Sequence, residues 1–147
     1  MRYQLLTLIM LFYFQSFISA QDTYLTKGYD NGYAWISLSQ PIKKLADYKQ
    51  NYLSSILDNQ KLQKLSGRKS PVIFNCDKDL MNISQSPLSD KIDLDTVIKK
   101  LDIFYSDDKN LIIPVLGAYC YCIKELAGTD RKELEIYRQK LMDYSKD

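Results

Sequence analysis

Apolar residues recur every three to four positions in four segments of this chain, and this spacing most limits the fold that it can adopt. Residues on one face of an α-helix follow that period, so each segment predicts a helix with one apolar side. The segments are bounded by residues typical of helix ends: N-caps at Ser39, Asp93 and Thr129 or Asp130, a first-turn proline at Pro114, and a terminal glycine at Gly128. We therefore predict an all-α fold, a small single-domain bundle of about four helices.

Two regions lie outside these segments. Residues 21–38 are rich in aromatic and turn-forming residues, and we expect them to pack an apolar stretch on the core. Residues 67–93 are polar and turn-rich, so we predict a long loop between the first and second helices, tethered by a disulfide. Within the first helix Lys49 interrupts the apolar stripe. We expect its ammonium to reach the edge of the stripe, the alternative being a pair with a buried acid.

The chain begins with a segment typical of a secretory signal. Arg2 supplies a positive charge, the apolar run LLTLIMLFYF covers residues 5–14, and SFISA ends on the small Ala20. A membrane-spanning helix needs about 20 apolar residues, and polar residues interrupt this run earlier. We therefore predict a signal peptide over residues 1–20 and a mature domain over 21–147. The expected location is periplasmic or secreted, with no membrane insertion after cleavage.

Composition argues against several classes of function. The net charge is +2 and the charged residues are mixed in sign along the chain, which gives no basic tract for nucleic acid. The absence of histidine excludes Ser-His-Asp and Cys-His catalysis and histidine-based zinc sites. Tyr, Lys, Asp and Cys could still act as acids, bases or nucleophiles, but no two of them form a recognisable catalytic pattern. We expect no enzyme activity and no cofactor or metal.

The three cysteines predict one disulfide and one unpaired thiol, as is usual for an exported protein. Cys120 and Cys122 point about 160° apart on the third helix, so they can neither bond to each other nor bind one ion. Cys76, in the predicted loop, is the remote partner. We favour a Cys76–Cys122 bond because Cys122 lies nearer the apolar centre of its helix, with Cys120 as the alternative. The remaining thiol is expected to be buried and inert or to join two chains.

Two stretches of the chain resemble a known family. In NGYAWISLSQPIKKLADYKQNYLSSIL, residues 31–57, a Gly and a Trp precede a Ser-capped helix that carries lysines and aromatic residues. In residues 92–128 a capped helix ends in aromatic residues, and an Asn then precedes an Ile-Pro-Val that opens the next helix. These features are similar to those of small exported proteins of the Rap/Tai immunity type. The matching positions are Gly32, Trp35, Ser39, Asp93, Phe104, Tyr105, Asn110, Ile113, Pro114, Val115, Ala118 and Gly128.

The resemblance implies a helical periplasmic protein that binds and neutralises a toxin, such as a cell-wall amidase delivered by type VI secretion, by occluding its active site. The alternative is a non-catalytic structural or interaction protein of the bacterial envelope with no toxin partner. Residues 67–93 and exposed aromatics such as Tyr121 are candidate contacts for a protein partner. Ile103 points away from the apolar face of its helix and could instead mark the contact of a homodimer.

Overall fold

The computed structural model describes residues 22–38, 45–86 and 92–147, and within them the fold is mostly helical. A hairpin of two short antiparallel strands, β1 (Leu25–Thr26) and β2 (Tyr29–Asp30), precedes the helices. The helices are α1 (Gly32–Ser37), α2 (Leu45–Leu65), α3 (Asp77–Ser84), α4 (Leu94–Phe104), α5 (Val115–Leu126) and α6 (Arg131–Lys146). Short 3₁₀ turns cover Asp22–Tyr24, Val72–Phe74 and Asp108–Asn110.

The predicted ends of the last three helices are confirmed. Asp93 caps α4 by accepting a hydrogen bond from the Thr96 amide at 2.8 Å, and Asp130 caps α6 in the same way. Pro114 directly precedes α5. Gly128 follows α5 with a φ of +83°, the left-handed conformation in which a helix commonly ends at glycine. The N-cap predicted for the first helix, Ser39, and the signal peptide lie outside the described residues.

Helix α5 forms the centre of the molecule. It packs against α4 on one side and α6 on the other, and it also contacts α3 and the 72–74 turn. Nearly every one of its side chains is buried from Val115 to Ile123. At Gly117 an added Cβ would lie 2.7 Å from the Leu141 side chain, so the absence of a side chain lets α6 approach closely. The core is therefore arranged around α5.

Two predictions about the chain outside the main helices need correction. The stretch predicted as a long loop, 67–93, contains the 72–74 turn and the helix α3. Only Ile83 is buried in α3, so the sequence offered no apolar stripe that would reveal it. The aromatic segment before Ser39 likewise contains the short helix α1. The described part of the chain thus holds six helices rather than about four.

The N-terminal hairpin is fastened to the start of α5. The Thr26 hydroxyl donates to the carbonyl oxygen of Ile112 at 2.7 Å, and the Gly32 amide donates to the Leu111 carbonyl at 2.9 Å. A Cβ at Gly32 would lie 2.5 Å from the Tyr105 ring, so only glycine allows this approach. These contacts close the N-terminal segment over the core. Within the described residues, no helix is both long and apolar enough to cross a membrane.

Candidate functional site

Several residues at which the chain resembles the Rap/Tai immunity type stabilise the connection between α4 and α5. The buried Tyr105 hydroxyl donates to the carbonyl oxygen of Ile113 at 3.0 Å. The Asn110 side-chain amide donates to the carbonyl oxygen of Phe104 at 2.7 Å. Both bonds satisfy buried backbone oxygens that no helix ladder reaches. Burial also raises the pKa of the Tyr105 hydroxyl well above its usual value. These residues therefore hold the backbone in place and offer little surface to a partner.

Lys49, Trp35 and Asp102 form a polar cluster at the edge of the core. The Lys49 side chain is buried, and its ammonium lies 2.6 Å from a carboxylate oxygen of Asp102. The indole nitrogen of fully buried Trp35 donates to the same oxygen at 2.7 Å, and the Lys49 ammonium lies 5.1 Å from the Trp35 ring centroid. The structure thus combines the two expectations for Lys49: its ammonium lies at the edge of the core, and it pairs there with an acid, although this acid is 44% exposed rather than buried. The cluster is a structural ion pair that joins α1, α2 and α4.

The favoured disulfide prediction, Cys76–Cys122, is wrong. The structure pairs Cys76 with Cys120, the alternative partner, with their Cα atoms 5.4 Å apart. The choice of Cys122 rested on its place near the apolar centre of the helix. Because α5 is buried on almost every side, closeness to that centre does not distinguish the two sulfurs. Which of the two cysteines bonds to Cys76 depends instead on the segment that each one faces. Cys120 lies on the side of α5 that faces residues 72–76.

Cys122 is the unpaired cysteine, and it is fully buried. Removal from water raises the pKa of its thiol to about 12, since a thiolate would lose its solvation there. A thiol with that pKa is a poor nucleophile at neutral pH and cannot reach a second chain. The unpaired cysteine was expected either to be buried and inert or to join two chains, and the structure therefore shows Cys122 in the first of these roles.

A groove between α4, α5 and α6 contains Ile103, which is exposed, and Tyr121, which was predicted to be exposed but is half-buried against the core. It encloses about 370 Å³. Ile103 stands at its rim with 71% of its surface exposed, and Tyr121 lies against Phe104 with their ring centroids 4.8 Å apart. The remaining residues that line it are polar or charged: Lys100, Asp107, Asn110, Glu125, Glu135 and Arg138. We call this set the α4–α6 groove.

Ion pairs fix the charged walls of the α4–α6 groove. Lys100 and Glu125 lie 2.9 Å apart across α4 and α5, while Arg138 and Glu135 lie 2.9 Å apart on α6. Burial, and after it the nearby carboxylates of Glu135 and Glu125, raise the pKa of the Tyr121 hydroxyl, which stays protonated at neutral pH. The groove thus combines an aromatic floor, an exposed aliphatic rim and a polar border.

A second exposed surface lies where α2 ends. Residues 60–75, which we call the basic end, contain four basic residues and no acidic one. Lys64 pairs with Asp77 of α3 at 2.9 Å. Leu65 and Val72 are exposed by 76% and 89%. The candidate contacts predicted over 67–93 thus fall partly here, on a surface that does not line the α4–α6 groove.

A smaller cleft lies between the hairpin, α2 and the start of α5. It encloses about 230 Å³ and is lined mainly by polar side chains, among them Asp30, Asn59, Gln60 and Gln63. The Tyr52 hydroxyl donates to Asp30 at 2.8 Å, and burial with this bond raises the Tyr52 pKa far above its usual value. A protonated tyrosine bonded to a carboxylate is a poor base, so we assign this pair a structural role.

The described residues contain no group of three cysteine or acidic side chains that could hold a metal ion. Comparison with known protein families, curated proteins and solved structures gives no match for the chain. The resemblance to the Rap/Tai immunity type therefore stays a prediction. Tyr121 and Ile103 were predicted as separate contacts, and the α4–α6 groove was not predicted, because its wall residues come from three helices and the α4–α5 connection and share no local pattern.

Proposed function

We propose that this chain is an exported protein that binds and neutralises a toxin, with the α4–α6 groove as its binding face. The observation that carries the proposal is the exposed Ile103 beside the aromatic floor of that groove. Aromatic and arginine side chains dominate the binding energy of many protein interfaces, and a polar border excludes water from them. Tyr121 and Arg138 supply such side chains here.

Export and inhibition by occlusion are each supported by a feature of the chain. The disulfide between Cys76 and Cys120 suits an oxidising compartment, as does the N-terminal segment that resembles a secretory signal. An inhibitor that covers an active site needs a rigid surface of about 800 Å² and no catalytic group of its own. The ion-paired walls of the groove suit such a surface. A cell-wall amidase is the toxin class that the family resemblance suggests.

The test is capture of the partner from the native cell envelope, followed by an activity assay. Wild-type protein and the Ile103→Asp variant serve as baits, and the captured proteins are identified by mass spectrometry. We expect the wild type to retain a cell-wall hydrolase and to inhibit it. Because Ile103→Asp places a charge in the apolar contact, we expect affinity to fall at least about 30-fold.

Ile136→Asp is the matched control, because Ile136 is an exposed isoleucine on α6 that does not line the groove. This variant should capture and inhibit as the wild type does. If Ile103→Asp inhibits equally well, the groove is not the binding face. If the captured partner has no toxic or hydrolytic activity that the protein blocks, neutralisation is wrong. The chain is then better described as an interaction protein of the envelope.

A further inference from the structure

The basic end is an exposed surface with an excess of positive charge that the proposed function does not use. Its basic residues are Lys61, Lys64, Arg68 and Lys69, and the nearest acids in the sequence are Asp58 and Asp77. Lys64, Arg68, Lys69 and Val72 line one shallow depression of about 330 Å³. Positive charge and exposed aliphatic side chains therefore occur together at the place where α2 ends.

The fold holds Val72 in its exposed position. Phe74, two residues further on, is buried to 1% exposure, and Cys76 anchors the chain to α5 through the disulfide. The Tyr137 hydroxyl of α6 donates to the carbonyl oxygen of Ile73. The residues that follow Val72 are thus anchored to the core, while the Val72 side chain itself is 89% exposed. The core-anchored backbone therefore holds this aliphatic side chain in water beside the basic residues that line the same depression.

We propose that the basic end adsorbs to the surface of an anionic phospholipid membrane. In this arrangement Arg68 and Lys69 contact lipid phosphates, and Val72 and Leu65 enter the boundary between headgroups and acyl chains. Charge complementarity selects the anionic lipid, since each basic residue near such a surface raises the partition coefficient about fivefold. Adsorption of this kind needs no spanning segment.

The side chains favour a lipid surface over an acidic protein. Leucine and valine are under-represented among the residues that dominate protein interfaces, whereas tryptophan and tyrosine are enriched. Residues 60–75 contain no tryptophan or tyrosine. A lipid interface accepts any aliphatic side chain, because it presents acyl chains without a fixed shape. The proposal does not depend on a toxin partner or on the α4–α6 groove.

The test uses the Val72→Trp variant of the full chain, purified as the cell processes it, with vesicles of phosphatidylcholine alone or with about one third phosphatidylglycerol. The native Trp35 is fully buried, so its emission should stay constant. We expect a blue shift of the new indole and its quenching by brominated lipid, with the anionic vesicles only. Adding Arg68→Gln and Lys69→Gln should lower the partition coefficient about 25-fold.

Ile103→Trp is the control for a general affinity of the protein for vesicles, because Ile103 is also an exposed aliphatic residue but lies at the α4–α6 groove. The N-terminal segment is identical in all variants, so any binding of that segment to vesicles affects all of them equally. No blue shift of Val72→Trp with anionic vesicles overturns the proposal, as does an equal shift of Ile103→Trp. If the charge substitutions instead abolish capture of an acidic protein while vesicles never bind, that protein is the occupant and the lipid proposal is wrong.

Discussion

At the scale of single residues, a charged side chain in an apolar stripe decides how three helices meet. Lys49 would be costly to bury alone, and the Asp102 carboxylate compensates its charge at 2.6 Å. The same carboxylate satisfies the indole nitrogen of Trp35. The Asp102 side chain keeps 44% of its surface in water, which lowers the cost of bringing its charge to the edge of the core. One acid thus serves two buried donors.

We expect Asp102→Ala to lower the free energy of unfolding by about 2 kcal/mol, because it leaves the Lys49 charge and the Trp35 indole without their acceptor. Lys49→Met, which removes the buried charge and keeps most of the side-chain volume, should cost less than about 1 kcal/mol. Urea unfolding followed by the fluorescence of Trp35 measures both variants. Equal losses for the two variants would mean that the uncompensated charge is not what Asp102 prevents.

At the scale of elements, the disulfide fastens the segment that carries the basic end and α3. Cys76 precedes α3 directly, and the bond to Cys120 joins that point to the central helix. An ion pair between Lys124 of α5 and Asp79 of α3, 2.6 Å long, fixes the same contact further along. Because α3 buries only Ile83, its position depends on these two links and on the Lys64–Asp77 ion pair to α2 rather than on an apolar face of its own.

Cys120→Ser should lower the free energy of unfolding by about 4 kcal/mol, since the bond closes a loop with a sequence separation of 44 residues. Cys122→Ala is the matched control in the same helix, and we expect it to cost only about 1 kcal/mol for the small cavity that it leaves. Thermal unfolding of both variants and peptide mapping without reduction check these values. A mapped Cys76–Cys122 peptide in the wild type would contradict the structure.

At the scale of the whole molecule, the two exposed surfaces are separate. The α4–α6 groove is built by the second half of the chain, and the basic end lies where α2 ends. The helix α5 connects them through the core, because it contributes Tyr121 to the groove and carries the disulfide to Cys76. Under our two proposals, the toxin occupies the α4–α6 groove while the basic end contacts the membrane surface.

We expect any self-association of the protein to be insensitive to reducing agent, because Cys122 is buried and the other two cysteines are bonded within the chain. Size-exclusion chromatography with light scattering should give the same mass with and without dithiothreitol under conditions where the protein stays folded. If a dimer forms through the groove, Ile103→Asp should abolish it. A dimer that reductant dissociates would show that a cysteine joins the chains.

The features that depend on neighbouring residues could be predicted from local sequence patterns. The apolar period predicted the four longest helices, and the cap at Asp93 and the terminal Gly128 predicted where two of them begin or end, because these interactions span a few residues. For the last helix the sequence left Thr129 and Asp130 open, and the structure has Asp130 as the cap. The tertiary structure alone decided that Cys120 rather than Cys122 meets Cys76, that Lys49 finds Asp102, and that α3 docks on α5. The α4–α6 groove belongs to the same group. These features depend on which helix surfaces face each other across the core. Residues far apart in sequence decide this through their packing around α5, which is buried on nearly all sides.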